Sequence, residues 1–495
     1  MKYVAALDQG TTSSRCIIFD EMGQIIAVHQ NEFRQIYPQP GWVEHDPEDI
    51  WSSQLDSLKM AVEKANIDVK DIDAIGITNQ RETTLVWDRE SGKCRANAIV
   101  WQCRRTAPII EQLKTDGYTE EIARRTGLVP DAYFSGSKLK WLLDNDPALR
   151  ADAQNGKVCF GTVDSYLAYR FTGGACHVTD ATNASRTMLF NLKTQTWDAE
   201  LMRILDIPSA VLPEVKDTSC VIGLLDKSIL GREIPIASLV GDQHAALFGQ
   251  ACFESGMAKN TYGTGCFLLM NTGSEIVRSS NGLVSTMAWR LDGKPTYALE
   301  GSVFVAGAAV QWLRDELKLI QSASESQYLA ESIPNNGGVY LVPAFTGLGA
   351  PYWDMYARGV LVGLTRGSGR AHIARAVLES IAFQSLDVLE AMQHDYGTPI
   401  KALRVDGGAT ANDFLMQFQA NILGAEVIKP KITETTALGS AMLAGRAVGL
   451  WNDTELKAIW KSERAYSPAF TPYEAAKHIN DWHRAVERAK NWVDD

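Results

Sequence analysis

The feature that most constrains this chain is a strand–turn–strand signature that occurs twice. The apolar run Tyr3–Leu7 leads into Asp8-Gln9-Gly10-Thr11-Thr12-Ser13-Ser14, and the run Arg15–Phe19 follows. About half a chain later, Gly263-Thr264-Gly265 stands between the runs Lys259–Tyr262 and Cys266–Leu269. A glycine–threonine turn between apolar runs reads as a hairpin whose tip lets backbone approach a ligand closely. Its recurrence predicts an internal duplication: two related lobes, each opening with a hairpin that faces one cleft. The length, 495 residues, exceeds the roughly 250–300 residues at which a single core stops growing. We place the two domains at residues 1–250 and 251–495.

The first thirty residues predict a three-stranded antiparallel meander, since a third run, Gln24–His29, follows the turn Asp20-Glu21-Met22-Gly23. Asp46 then suits a helix N-cap, with Pro47 at the first helical position and Glu48 and Asp49 at the positive end of the helix dipole. Trp51, Leu55, Leu58 and Val62 would form its buried stripe. Ile72–Thr78 reads as a buried strand ending in Asn79-Gln80-Arg81-Glu82. Meander, helix and strand in alternation predict an α/β sheet, in which ligands gather at the carboxyl ends of strands. Two further strands end in polar or glycine-rich residues: Ile234–Val240 in Gly241-Asp242-Gln243, and Ala402–Val405 in Asp406-Gly407-Gly408. The stretch Asn452–Asp495 reads as peripheral helices.

A net charge of −11 leaves nothing global to recruit nucleic acid or anionic lipid. The eight cysteines form no CxxC pair and read as reduced structural thiols of a cytoplasmic protein. The N-terminal apolar run is too short for a signal peptide, and no stretch approaches the ~20 apolar residues of a membrane span.

The turn at Asp8 combines backbone N–H groups, four hydroxyls and Arg15. Together these suit phosphate. Asp8 could hold Mg²⁺ through water. The same residues serve equally as a hydroxyl-rich hairpin, and the turn is neither a Walker A loop nor GxGxxG. Asp406-Gly407-Gly408-Ala409, with Asn412, suits phosphate or ribose at a helix head, or a plain strand-to-helix turn. Asp242 suits a general base for phosphoryl transfer, or an N-cap. Arg81-Glu82 suits a polyol clamp, or a surface ion pair. Trp101, Tyr133 and Phe267 could wall an alkyl backbone or sit in a core.

The order of these runs resembles the FGGY carbohydrate kinase family, within the actin and heat-shock ATPase superfamily. The runs that carry it include Ala6–Arg15, Thr78–Thr83, Trp101–Thr106, Tyr133–Lys138, Gly241–Gln243, Tyr262–Phe267 and Ala344–Trp353. The resemblance covers nearly the whole chain. It implies two ribonuclease-H-like (actin-like ATPase) lobes around a central nucleotide and substrate cleft. It implies an enzyme that uses ATP and Mg²⁺, yields ADP, and phosphorylates glycerol. It further implies that Arg81, Glu82, Tyr133 and Asp242, assisted by Gln243, hold the polyol hydroxyls while Trp101 and Phe267 pack its carbons. Thr11, Thr12, Ser13 and Arg15 would contact the nucleotide phosphates, with Thr264, Gly307, Gln311, Gly408 and Asn412 completing that site. Asp242 would be the base, and Asp8 would serve the magnesium. The family also suggests homodimers or homotetramers.

Two departures stand out. His244 occupies a position where the family usually has Gln, one expected just behind the base. The segment Asp226–Glu233 has no histidine for phosphorylation, and Glu233 stands near a regulatory arginine's place. Sugar-bisphosphate and phosphohistidine control are therefore expected to be absent or altered. Two alternatives stay open at this level: a family kinase for a pentulose or larger polyol, and a non-catalytic actin-like ATPase that needs no polyol clamp.

Overall fold

The computed structural model describes residues 1–493. The first lobe opens with the meander β1 (Tyr3–Gln9), β2 (Ser13–Asp20) and β3 (Ile25–Glu32), followed by α1 (Pro47–Ala65) and β4 (Ile72–Asn79). After α2 (Ser135–Asn145) come β5 (Ser219–Leu224), β6 (Pro235–Gly241) and α3 (Asp242–Gly249). The strands form one six-stranded sheet in the order β5–β6–β4–β1–β2–β3. Pairing is antiparallel within the meander, and β4 runs parallel to both β1 and β6.

The second lobe contains β7 (Ala258–Tyr262), β8 (Cys266–Gly273), β9 (Val284–Leu291) and β10 (Lys294–Val303). It continues with α4 (Gly307–Asp315), α5 (Arg370–Tyr396), β11 (Ala402–Asp406), α6 (Asp413–Leu423), β12 (Glu426–Pro430) and α7 (Thr435–Ala447). It ends with β13 (Ser462–Tyr466) and α8 (Pro472–Ala489). Its seven strands are ordered β9–β10–β8–β7–β11–β12–β13. The scheme repeats the first sheet: β7, β8 and β10 form the antiparallel meander, β11 and β12 continue parallel to β7, and β13 closes antiparallel. Strand β9 is the addition. Two α/β lobes with the same pairing account for the repeated Gly-Thr hairpin, since each such hairpin joins the first two strands of its sheet.

The lobes meet where α7 crosses α3. A Cβ on Gly439 would lie 1.8 Å from the Ala245 carbonyl oxygen, and one on Gly249 would lie 2.0 Å from that of Thr435. Only glycine permits this approach. Helix α7 also packs on β1, β4 and β6 of the first sheet.

Asp46 caps α1 as expected, accepting from the Glu48 N–H at 2.9 Å. The buried face of α1 is rotated from the predicted stripe. Leu58 and Val62 are buried, but Trp51 and Leu55 are only half-buried, and Ser53, Gln54 and Ser57 face inward. The reason is polar: Gln54 donates to the Arg15 carbonyl at 2.9 Å, and Ser57 to that of Ser14 at 3.1 Å. The helix thus braces the strand that carries the glycine–threonine turn.

The C-terminal stretch is not simply peripheral. Residues 462–466 form an edge strand, and Trp482 of α8 is fully buried, stacked on Phe383 at 5.2 Å. Its last two residues lie outside those described. All eight cysteines are free thiols. Among the described residues no helix is long and apolar enough to cross a membrane.

Candidate active site

Parallel pairing aligns the carboxyl ends of three strands. Asp8 stands opposite Thr78, Gln9 opposite Asn79, and Asn79 opposite Gly241. The Asp8 turn, the Gln80–Glu82 loop and Asp242 therefore share one sheet edge, where such sheets bind ligands. Gln80 fastens the first two together: its N–H donates to the Gln9 carbonyl at 2.7 Å and its side-chain amide to that of Gly10 at 3.1 Å.

The Gly10 N–H closes the turn on the Ser13 carbonyl at 2.9 Å. The Thr11 and Thr12 N–H groups have no hydrogen-bond partner among the described residues. Successive uncommitted N–H groups of this kind form an anion-binding concavity. Arg15 pairs with Glu434, just before α7, and its Nε donates to Gln30 at 3.1 Å. Burial pushes the Asp8 carboxyl up to about 6, helped by the negative charges of Asp242 and Glu434 and opposed by Arg15.

Arg81 and Glu82 are 2% and 1% exposed, which rules out a surface ion pair. Glu82 has a φ of 62°, and the Thr83 N–H reaches back to the Arg81 carbonyl at 2.7 Å. A glutamate in this left-handed turn is strained, a condition that clusters at functional sites. Arg81 Nε lies 3.1 Å from Asp242 Oδ1. Gly241 makes room for the arginine, since a Cβ there would lie 2.8 Å from its Cγ and Cδ.

Asp242 is the first residue of α3, and Gly241 is its N-cap. The Asp242 side chain keeps 31% exposure, so it faces the cleft beside a buried guanidinium. Its approach is fixed from behind. The Gly241 N–H donates to Thr182 Oγ1 at 2.9 Å, and Thr182 donates in turn to Asp180 at 2.8 Å. Asp180 is held in the acid form more readily than usual by burial, against bonds from Asn183 and Thr182. Gln243 accepts from Lys259 Nζ of β7 at 2.5 Å, which orients its amide.

Burial drives the His244 imidazole well below its ordinary range. His244 lies within α3, two residues after Asp242, and its ring pairs with the Thr286 hydroxyl at 3.2 Å rather than with the base.

Trp101 donates its indole N–H to Thr11 Oγ1 at 3.0 Å and meets Tyr133 edge-on at 5.6 Å. Tyr133 is held by Lys138 of α2, whose Nζ donates to the Ala132, Tyr133 and Phe134 carbonyls. Burial lowers this ammonium to about 7. Phe267, on β8, shares no ring contact with Trp101 or Tyr133 among the described residues.

On the second sheet, Thr261 stands opposite Asp406, so the Thr264 and Asp406 turns also share an edge. Gly307 abuts the first of these: its N–H donates to the Gly263 carbonyl at 3.0 Å, and a Cβ would lie 2.6 Å from that oxygen. Gly407 has a φ of 90° and no room for a side chain against Tyr262. Gly408 opens a short 3-10 turn, and helix α6 starts only after Asn412, whose side chain caps it by accepting from the Leu415 N–H at 3.0 Å. Gln311 is exposed on α4. No hydrogen bond joins Thr264, Gly307, Gln311, Gly408 or Asn412 to Thr11–Arg15 among the described residues. These are two separate walls.

Two residues escaped the sequence reading. Glu300 of β10 receives Arg81 Nη1 at 2.6 Å and Nη2 at 2.9 Å. Arg186 donates to Glu82 at 2.6 Å and to Glu300 at 3.2 Å. The one available signal was a lone carboxylate inside the apolar strand Tyr297–Val303.

Comparison with known proteins gives the family. Residues 3–249 match the N-terminal domain of the FGGY family of carbohydrate kinases, and residues 258–448 its C-terminal domain. A glycerol kinase of Caldanaerobacter subterraneus is 60% identical, with 100% of both chains covered. The crystal structure of Plasmodium falciparum glycerol kinase with ADP superposes with a TM-score of 0.94 at 37% identity, covering 99% of this chain and 98% of that one. A ligand-bound xylulose kinase of Lactobacillus acidophilus gives a TM-score of 0.89 at 26% identity, with 99% and 98% covered.

Proposed function

The chain belongs to the FGGY family of carbohydrate kinases, and we propose that it transfers the γ-phosphoryl group of ATP to glycerol, giving sn-glycerol 3-phosphate and ADP. The observation that carries this reading is the buried Arg81–Glu82 clamp beside the cleft-facing Asp242, on the same strand ends as the Asp8 turn. The 60% identity to a glycerol kinase against 26% to a xylulose kinase supports glycerol over a pentulose.

The residues divide the work as follows. Arg81 donates to, and Glu82 accepts from, the polyol hydroxyls, with Tyr133 and Gln243 assisting. Trp101 and Phe267 pack its carbons. Asp242 orients the terminal hydroxyl and takes its proton as that oxygen bonds the γ-phosphorus. The bond from this phosphorus to the bridging oxygen breaks, and ADP leaves. Thr11, Thr12, Ser13 and Arg15 receive the phosphates, and positioned donors of this kind supply most of what phosphoryl transfer needs. Thr264, Gly307, Gln311, Gly408 and Asn412 hold the rest of the nucleotide.

The residues present also fit the Mg²⁺ ion that such kinases use. The Asp8 carboxyl is raised partly by neighbouring carboxylates, a repulsion that a hard divalent cation with oxygen donors relieves. Asp8 would hold it through water, and the ion would neutralise charge on the phosphates. We further propose a domain boundary near residue 250, a cytoplasmic setting, and assembly as a homodimer or homotetramer.

The test compares kcat/KM for glycerol and xylulose in a coupled ADP assay. Preference for glycerol by at least about a hundredfold is expected. Equal or greater efficiency on xylulose would overturn the reading.

A further inference from the structure

We infer that Glu300 is a positioning residue for the polyol clamp, acting from the second lobe through Arg81 and Arg186. The inference rests on the glycerol-phosphorylating reading and adds a specificity determinant to it. Four charged side chains, Arg81, Glu82, Arg186 and Glu300, alternate in sign and are each no more than 2% exposed. Burying so many charges is costly unless each is paired, and removing one partner leaves an uncompensated charge in the interior. A cluster of this kind needs a reason to exist beyond stability.

The geometry supplies one. Arg81 has three directions in which to bond an anion. Its Nε edge already lies 3.1 Å from the base Asp242 and 3.9 Å from Glu82. Each of its two terminal nitrogens donates one N–H to Glu300, in the fork-to-carboxylate arrangement that fixes a guanidinium in one plane. Without Glu300, the nearest anions left to the fork are Asp242 and Glu82, the two groups that must accept from substrate. Arg186 completes the device. It holds Glu82 through Nε and Glu300 through Nη2, and its Nη1 is buried without a hydrogen-bond partner among the described residues. Glu300 therefore keeps the two terminal nitrogens of Arg81 off the base, and through Arg186 it fixes the acceptor Glu82. Burial alone would raise the Glu300 carboxyl, but Arg186 and Arg81 hold it well below the usual range, so it stays ionised for this task.

The experiment uses the full chain and begins with wild-type glycerol kinetics, whose absence would sink the underlying reading rather than this one. Glu300→Gln keeps shape and removes charge. It should raise KM for glycerol by about tenfold or more and lower kcat, with KM for ATP within about twofold. Glu300→Asp, which restores charge, should recover at least part of the loss. A merely structural role predicts lower thermal stability with unchanged kinetics in the folded fraction. Arg186→Gln/Glu300→Gln removes one charge of each sign and keeps the result readable if the single variant does not fold; the same rise in glycerol KM is expected. Glycerol KM and kcat within about twofold of wild type in a folded variant, or equal losses toward glycerol and ATP, would overturn the inference.

Discussion

The indole N–H of Trp101 donates to the Thr11 hydroxyl at 3.0 Å, so one hydrogen bond joins the aromatic wall to the phosphate turn. The two come from segments 90 residues apart. In the proposed reaction this bond sets acceptor and phosphoryl donor at a fixed spacing.

Trp101→Phe keeps the wall and removes that bond. A neutral hydrogen bond of this kind contributes about 0.5–1.5 kcal/mol. Steady-state kinetics should therefore show kcat/KM for glycerol reduced by about two- to thirteenfold. An unchanged value would mean that the bond positions nothing.

Lys138 bonds three consecutive carbonyls on the loop that carries Tyr133. Lys138→Met leaves them unmet and frees the ring. We expect KM for glycerol to rise by about tenfold, equivalent to about 1.4 kcal/mol, with nucleotide binding by calorimetry unchanged.

Much of the site is legible in the sequence because its parts are local. The Asp8 turn, Arg81-Glu82 and Gly241-Asp242 are each a strand end followed by polar residues, and backbone pairing alone brings them to one edge. Glu300 and Arg186 are not legible in this way. Each is a single charge whose partners lie more than 100 residues off, so only the fold reveals that the charges cancel. The rotated face of α1 escaped for a related reason: Ser53, Gln54 and Ser57 look like solvent residues until the Ser14 hydroxyl and the backbone of β2 stand opposite. Strand β13 was missed because it carries Glu463 and Arg464 and is mostly exposed, as an edge strand tolerates.

Burial raises the Asp164 carboxyl from 3.8 to about 7, with help from Asp180 and against bonds from Thr162 and Thr179. A carboxyl raised on folding contributes fully below its unfolded value, and that contribution is lost as pH rises through the folded one. Relative to Asp164→Asn, wild type should thus gain roughly 1–3 kcal/mol between pH 8 and pH 5. Thermal melts of both proteins across that range check the sign.

The crossing of α3 and α7 leaves no space for a methyl group on Gly439. Gly439→Ala must push the helices apart, costing about 1–3 kcal/mol. Because α7 follows directly on Glu434, the partner of Arg15, the glycerol-dependent rate should fall along with the melting temperature.

The most direct test of the central claim is ADP release from ATP, measured with and without glycerol. ADP should form only when glycerol is present, in step with sn-glycerol 3-phosphate, and Asp242→Ala should abolish it while ATP still binds. ADP formation at the same rate without glycerol, or near-normal turnover in the Asp242→Ala variant, would contradict the account.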